Sequence, residues 1–257
     1  MTWNPEQYHL FRRQRLRPAQ DLLAATFAAV SAEPKRIVDL GCGGGFLASQ
    51  MAERWPSAQV TGLDGSAEML VEAQARTSSV AWVRADISTW RPDEPLDIII
   101  SNAALHWIDN HAQLFPQLLT WLAPGGVLAT QMPRNFAAPS HTLLADTIRD
   151  GAWATRLARH LRPAPVSSPA DYVEWLYPNA VDLDLWETEY LHRLSGENPV
   201  LEWVRGTALA PVLKHLSSVE AEAFVADYSA RLRSAYPPCS DGVTLFPFRR
   251  LFIIARV

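Results

Sequence analysis

The first half of the chain alternates short apolar runs with apolar residues at helical spacing. The run at 36–40 contains Ile, Val and Leu and leads into a glycine turn, after which Leu47, Met51 and Trp55 recur every four positions. A strand, a glycine turn and an amphipathic helix in that order form a βαβ unit when another strand follows. Because the alternation continues to about residue 131, the sequence predicts an α/β fold with a parallel sheet.

Seven apolar runs have the length of strands and are far shorter than the roughly 20 residues that a bilayer crossing takes. They lie at 36–40, 59–63, 80–83, 96–101, 127–131, 181–185 and 251–255. Prolines cluster between Pro133 and Pro178. We expect a single domain of residues 1–257, in which the segments 132–180 and 195–247 are insertions that form a helical cap over the substrate.

Three serines predict where helices begin. Ser66 stands directly before a helical pattern, and Ser168 precedes a proline that suits the first helical turn. Ser217 and Glu220 have the spacing of a capping box, in which each side chain binds the backbone of the other residue.

The composition is that of a folded globular protein, with 48% hydrophobic and 19% charged residues. The 23 basic and 27 acidic side chains leave a net charge of −4, which repels nucleic acid and anionic lipid headgroups. No secretory signal is recognisable, and the two cysteines have no metal-ligand spacing, so we expect neither disulfides nor a metal site. These features favour a cytoplasmic protein, a monomer or a small homo-oligomer, whose partner is a small molecule rather than nucleic acid or a membrane.

A glycine-rich loop at 41–45 lies where the first strand becomes a helix. Glycines there let the backbone approach a ligand at the positive end of the helix. Phe46 occupies a position at which the dinucleotide fingerprint requires glycine, so nicotinamide binding is disfavoured. The loop alone leaves two interpretations open, a ligand-binding loop and a tight turn with close packing of helix on sheet.

Two acids stand at the ends of successive strands. Asp64 ends the second strand, where its carboxylate can accept hydrogen bonds from both hydroxyls of a ribose. Asp86 ends the third run, where it can accept from the amino group of an adenine that Ile87 flanks. Each acid alone has another interpretation, as a helix cap or a polar strand end. Together they indicate a bound nucleoside.

Five motifs follow one another in this half of the chain, at 38–45, 62–64, 85–87, 99–103 and 122–128. This ordered series resembles the class I S-adenosylmethionine-dependent methyltransferases. The resemblance implies a Rossmann-like sheet of seven strands, the last of them antiparallel, with S-adenosylmethionine as cofactor and S-adenosylhomocysteine as product. Gly44 departs from the family pattern, in which many members carry proline.

The same resemblance assigns residues to the cofactor. They lie in the glycine loop, at the strand ends and at the end of the fourth strand: Asp39, Gly41, Gly43, Asp64, Gly65, Asp86, Ile87 and Asn102.

Segments at 3–8, 17–19, 102–107, 131–135 and 246–256 resemble the members of this family that methylate trans-aconitate, a tricarboxylic acid. The resemblance implies methyl transfer to one carboxylate of trans-aconitate or a close tricarboxylate analogue, which forms a monomethyl ester. Because a carboxylate with a pKa of ~4 is ionised at neutral pH, we expect no general base, and the catalytic work falls to positioning.

A tricarboxylate needs convergent cations and hydrogen-bond donors, because its other charges must be held when water is removed. The candidates are Tyr8, Arg17, His106, Trp107, Arg134, Tyr190 and Arg249. Arg17 can also belong to a solvated basic helix face, and Tyr190 and His192 to an exposed strand surface. Arg249 and Arg250 alternate in direction on the last strand, so at most one of them faces the site.

Two other functions stay open at this point. The first is a methyltransferase that acts on another small organic acid or on a hydroxyl metabolite. The second is a module that binds the cofactor without turnover. A nucleic-acid methyltransferase is disfavoured, because the chain is acidic and lacks an Asn-Pro-Pro-Tyr-like base-flipping signature.

Overall fold

The computed structural model describes residues 12–158, 161 and 164–257. Its centre is a sheet of seven strands in the order β3-β2-β1-β4-β5-β7-β6. The strands are β1 (Arg36–Leu40), β2 (Gln59–Asp64), β3 (Ala81–Arg84), β4 (Leu96–Asn102), β5 (Leu122–Pro133), β6 (Asp182–Leu194) and β7 (Thr244–Arg256). Strands β1 to β5 pair in parallel, and β7 runs antiparallel to β5. The predicted seven strands and antiparallel last strand are confirmed.

Helices connect β1 to β2, β2 to β3 and β4 to β5, as the alternating pattern predicts, whereas turns without a helix join β3 to β4. In chain order the helices are α1 (Arg12–Ala29), α2 (Phe46–Arg54), α3 (Ala67–Arg76), α4 (His111–Thr120), α5 (Pro139–Asp150), α6 (Ala154–Leu157), α7 (Pro169–Leu176), α8 (Pro199–Val204), α9 (Ala210–Leu213) and α10 (Ser218–Ala235). All three predicted helix starts are confirmed. Ser66 caps α3, and capping boxes open α7 at Ser168 and α10 at Ser217.

The chain divides into two compact units. The larger, which we call the sheet unit, comprises residues 17–133, 165–188 and 250–257. Ile37, Val38 and the run at 98–100 have almost no exposed surface. Successive residues of a strand point to opposite faces, so the central strands are buried on both faces. Continuous aliphatic runs are typical of such strands.

The smaller unit, which we call the helical unit, comprises the described residues among 12–16, 134–164 and 189–249. Its own core packs aromatic residues of several helices and of β7, among them Trp153, Trp203, Phe224, Tyr228 and Phe246. The predicted insertions 132–180 and 195–247 contain α5 to α10, and their role as a substrate cap stays a prediction.

Three strands are much longer than the sequence predicts. β5 covers Leu122–Pro133 instead of the predicted 127–131, because it includes the Ala-Pro-Gly-Gly segment that precedes the apolar run. β6 continues to Leu194, well beyond the predicted end at 185, and β7 begins at Thr244, before the predicted start at 251. The apolar run of β7 is interrupted by Pro247, Arg249 and Arg250, so its first half does not look like a buried strand in the sequence. No described helix is both long enough and apolar enough to cross a bilayer.

Candidate active site

The glycine loop after β1 is tied to the end of the neighbouring strand. The backbone N–H groups of Gly41 and Cys42 both donate to the carbonyl of Leu63, at 2.8 and 2.9 Å. Gly41 has a φ of +75°, and a Cβ at this position would lie 2.2 Å from the Cβ of Ala104. Only glycine fits there, because both the left-handed backbone and the close neighbour exclude a side chain.

Asp39 lies directly before this loop and is fully buried. Its Oδ2 accepts a hydrogen bond from the N–H of Ala48 at 3.1 Å, whereas Oδ1 has no donor among the described residues. Burial in a poorly polar environment raises the pKa of Asp39 to about 7. A buried acceptor without a donor is costly, and a bound group with N–H donors would satisfy it.

Asp64 at the end of β2 connects the glycine loop to helix α3. One carboxylate oxygen accepts from the N–H of Gly43 and the other from the N–H of Ser66, each at 2.9 Å. The N-cap of α3 is Ser66, so the alternative role of Asp64 as the cap itself does not apply. Each carboxylate oxygen has a second lone pair, which leaves acceptor capacity for the hydroxyls of a ribose.

A cavity of about 460 Å³ lies at the ends of β2 and β3. Three of the residues that the family resemblance assigns to the cofactor line it, namely Gly65, Asp86 and Ile87. The N–H and the hydroxyl of Ser88 donate to Asp86 at 2.8 and 2.6 Å and keep its pKa below the usual range. Asp86 is therefore an ionised acceptor beside an apolar wall, as adenine recognition requires.

The cavity wall also contains residues that sequence reasoning missed. They are Arg84 and Ile108, and Ala85 of the motif at 85–87 completes the lining. Arg84 ends β3, two positions before Asp86, but nothing in the motif series distinguishes it from a solvated arginine. Ile108 follows the candidate His106-Trp107 pair, and its place in this wall depends on the course of the chain after β4.

After β4 the chain turns sharply. Ala103 has a φ of +53°, a conformation that residues other than glycine adopt rarely, and its N–H donates to the carbonyl of Gln131 at 2.8 Å. A single 3₁₀ turn follows at Leu105–Trp107. It buries His106 and leaves Trp107 51% exposed, with the two rings 4.7 Å apart.

Two buried residues, His111 and Tyr172, hold this turn in place. The imidazole of His111 lies 3.0 Å from the carbonyl of Leu105 through Nε2 and 2.6 Å from the hydroxyl of Tyr172 through Nδ1. A carbonyl only accepts, so Nε2 carries the proton and Nδ1 accepts from the tyrosine. Burial lowers the pKa of His111, which keeps this ring neutral. Sequence reasoning missed the pair, because 61 positions separate its members.

Buried polar groups continue along the sheet from β4 to β7. Asn102 pairs in register with Gln131 of β5, and Arg250 of β7 donates from Nη1 to Oε1 of Gln131 at 3.3 Å. Gln131 is fully buried and Arg250 only 6% exposed. Neither Gln131 nor Arg250 was among the predicted site residues, although the alternation along β7 shows that Arg249 and Arg250 point in opposite directions.

The other substrate candidates are more exposed. Arg17 lies on the surface of α1 and pairs with Asp21 at 3.0 Å, as expected for a solvated helix face. In the helical unit, half-exposed Arg249 lies 3.7 Å from Glu189, and the N–H of Arg134 donates to the carbonyl of Arg249. Their binding roles stay predictions.

The remaining candidates are aromatic residues. The ring of Tyr190 stacks at 6.2 Å on that of His192. His192 is buried against Trp203, so its interpretation as an exposed surface residue is wrong. Tyr8 lies outside the described residues. Among the residues that the structure describes, no group of His, Cys, Asp and Glu side chains could hold a metal ion.

Comparisons with known proteins now decide the family. Residues 37–126 match a family model described as a methyltransferase domain. A trans-aconitate 2-methyltransferase of Streptomyces avermitilis is 47% identical, and the alignment covers 99% of this chain and 96% of that protein. The chain belongs to the trans-aconitate 2-methyltransferase family. Relatives of the same name from Azoarcus sp. and Rhizobium rhizogenes are 46% and 41% identical over 99% of this chain and 98% and 99% of their own.

Solved structures agree on the fold. The YcgJ protein of Bacillus subtilis superposes with a TM-score of 0.58 at 16% identity, covering 92% of this chain and 98% of that one. A Haemonchus contortus phosphoethanolamine N-methyltransferase, solved with S-adenosyl-L-methionine, gives a TM-score of 0.51 at 17% identity and covers 91% of this chain and 52% of its own. The predicted class I methyltransferase fold is confirmed.

Proposed function

We propose that this enzyme transfers the methyl group of S-adenosylmethionine to a carboxylate of trans-aconitate or a close tricarboxylate analogue, forming a monomethyl ester. One observation carries the proposal: the likeness to the named relatives extends over 99% of the chain and is not confined to the methyltransferase domain at 37–126. Segments outside that domain contribute most of the candidate substrate residues.

The residues of the sheet unit fit S-adenosylmethionine. The unsatisfied Oδ1 of Asp39 and the side chain of Asn102 offer acceptors to its ammonium group. Asp64 offers lone pairs to the ribose, and the cavity lined by Gly65, Asp86 and Ile87 suits the adenine ring. The glycine loop lets the backbone lie against the ligand where Gly41 admits no side chain.

When bound, S-adenosylmethionine supplies an electrophilic methyl group on a positively charged sulfur. The chain then has to bring an ionised carboxylate in line with that group and to strip water from it. Because the attacking oxygen is already anionic, no residue has to remove a proton. Opposite charges cancel as the bond forms, so alignment and exclusion of water account for the rate enhancement.

The turn at Leu105–Trp107 is placed to position the acceptor. It lies at the carboxyl end of β4, the edge at which ligands bind in open α/β sheets. His106 offers a buried imidazole, and half-exposed Trp107 offers an apolar surface that can exclude water. Neutral His111, through its hydrogen bond to the carbonyl of Leu105, holds both residues in place.

The prediction of a cytoplasmic enzyme whose partner is a small acid stays part of this proposal. Both cysteines support it, because Cys42 and Cys239 are free thiols, as is usual in a reducing compartment.

The test is a panel of organic acids incubated with purified enzyme and S-adenosylmethionine that carries a labelled methyl group. We expect labelled ester from trans-aconitate, and much less from monocarboxylates and from hydroxyl compounds of similar size. Production of an ether, or of ester from monocarboxylates alone, would favour another acceptor. Tight binding of S-adenosylhomocysteine without turnover of any acid would favour the cofactor-binding module.

A further inference from the structure

One face of the sheet carries a row of polar side chains that crosses four strands and is buried except for part of Asn102. Asp39 pairs in register with Ile100, and Asn102 lies two positions further along β4 on the same face. Asn102 pairs with Gln131, which pairs with Phe252 of β7. Arg250 lies two positions from Phe252 and donates to Gln131, so all four polar side chains share this face of the sheet unit.

The hydrogen-bonding character of the row reverses between β4 and β5. On the β1 and β4 side, the buried Oδ1 atoms of Asp39 and Asn102 are acceptors without a donor among the described residues. On the β5 and β7 side the groups are donors. Since arginine can only donate, the Gln131 atom that it binds must be the oxygen, and the amide nitrogen is left over.

That nitrogen, Nε2 of Gln131, is buried and has no acceptor within the part of the chain that the structure describes. Leaving a buried donor unsatisfied is unfavourable, whereas a carboxylate oxygen would satisfy it and would lie beside the positively charged guanidinium of Arg250. Acceptors on one side suit a cationic ligand, and donors on the other side suit an anionic one. Neighbouring strands lie ~4.8 Å apart, so ligands of opposite charge would meet on this face.

We propose that Gln131 and Arg250 form the subsite that binds a non-reacting carboxylate of the substrate. Arg250 supplies the positive charge, and Gln131 holds the guanidinium through Oε1 while its own N–H group donates to the same carboxylate. The subsite selects acids with more than one carboxylate, and it rests on the proposed function. In this proposal Arg250 has the role in substrate binding that the sequence suggested for Arg249.

The test measures binding to protein saturated with S-adenosylhomocysteine, which cannot react. Calorimetry compares trans-aconitate with crotonate, whose one carboxylate is the reacting group. Gln131→Glu still accepts from Arg250 but replaces the N–H donor with a negative charge. We expect it to weaken trans-aconitate about 30-fold or more and crotonate less than about threefold, as for removal of a buried charged partner.

Arg250→Gln should show the same selective loss, and Arg250→Lys should recover part of it by restoring the charge. The matched control is Arg256→Gln, on the same strand but paired with Asp182 at the exposed end. It should bind both acids like the wild type. Melting temperature and S-adenosylhomocysteine affinity report whether each variant is folded, and Gln131→Glu should retain both because its carboxylate can pair with Arg250.

The outcomes separate the two proposals. If the wild type binds no tricarboxylate, the proposed function fails and the subsite fails with it. If the wild type binds trans-aconitate and the folded Gln131 and Arg250 variants bind it equally well, only the subsite is refuted. A selective loss in Arg249→Gln, with Arg250→Gln unchanged, would also overturn it.

Discussion

Asp39→Asn should stabilise the protein at neutral and alkaline pH while it impairs cofactor binding. Asp39 is buried and accepts one hydrogen bond from the described part of the chain, and its pKa is about 7 against an ordinary value of 3.8. Asparagine has nearly the same shape and can still accept from the N–H of Ala48. The substitution therefore removes a buried charge without opening a cavity.

The size of the effect follows from the pKa. A tenfold change in acidity corresponds to 1.36 kcal/mol, so ionising this carboxylate costs about 4 kcal/mol more in the folded protein than in the unfolded chain. Between pH 3.8 and 7 the folded protein holds a proton that the unfolded chain has released. Its free energy of unfolding therefore falls as the pH rises through that window. From pH 5 to pH 8 the free energy of unfolding of the wild type falls by about 2.5 kcal/mol on this account. Asp39→Asn has no titrating group at this position, so its stability does not show this fall.

Urea denaturation at pH 5, 6, 7 and 8 measures this difference, because the other titrating groups are common to both proteins. The stability of Asp39→Asn relative to the wild type should grow with pH by about 2.5 kcal/mol. Asp93→Asn, which changes an exposed acid, should follow the wild-type profile. If the stability of Asp39→Asn and of the wild type changed with pH in parallel, the raised pKa of Asp39 would be contradicted. Unchanged affinity for S-adenosylhomocysteine would remove Asp39 from the cofactor site.

Four further substitutions test the site. Asp64→Ala should weaken S-adenosylhomocysteine binding about tenfold or more in calorimetry, and it should largely spare trans-aconitate, because a ribose contact is worth one or two charged hydrogen bonds. Gly41→Ala should lower the free energy of unfolding by about 1–3 kcal/mol in urea, whereas Gly65→Ala, whose Cβ would meet nothing closer than 3.9 Å, should fold normally and lose cofactor affinity. Tyr172→Phe should raise KM for trans-aconitate in steady-state kinetics while the affinity for S-adenosylhomocysteine stays constant, because His111 loses the donor that orients it.

That several of the candidate cofactor residues lie together could be predicted from sequence for a simple reason. Parallel strands end at the same edge of a sheet, so polar residues that follow successive apolar runs converge whatever the details of packing. Gly65, Asp86 and Ile87 line one cavity for this reason. Their spacing along the chain carries the information.

The substrate half could not be predicted in the same way. Alternation shows that Arg249 and Arg250 face opposite sides of β7, but the side that is buried depends on which strand lies next to it. The order β5-β7-β6 is a property of the folded sheet. Gln131 ends an apolar run and looks like a strand terminus until Arg250 is placed beside it.

Contacts between distant helices are equally invisible in the sequence. His111 begins α4 and looks like a polar residue of a first helical turn, and Tyr172 looks like part of an aromatic helix face. Only the packing of α7 against α4 gives His111 its tautomer and its hold on the carbonyl of Leu105. Sequence reasoning reached the His106-Trp107 turn but not the residues that keep it in place.

The buried polar row of the sheet connects stability with catalysis. Within the described ranges 12–158 and 164–257, Asp39, Asn102 and Gln131 each have a hydrogen-bonding atom without a partner, at a cost to the folded protein that hydrophobic residues would avoid. The cost is recovered when ligands of opposite charge bind on the two sides of the row, and water cannot provide an equivalent arrangement because its dipoles must reorient. A sheet face with acceptors on β1 and β4 and donors on β5 and β7 therefore suits a cationic ligand bound beside an anionic one. Because the proposed subsite holds the non-reacting carboxylate, it favours acceptors that carry a carboxylate besides the group that is methylated.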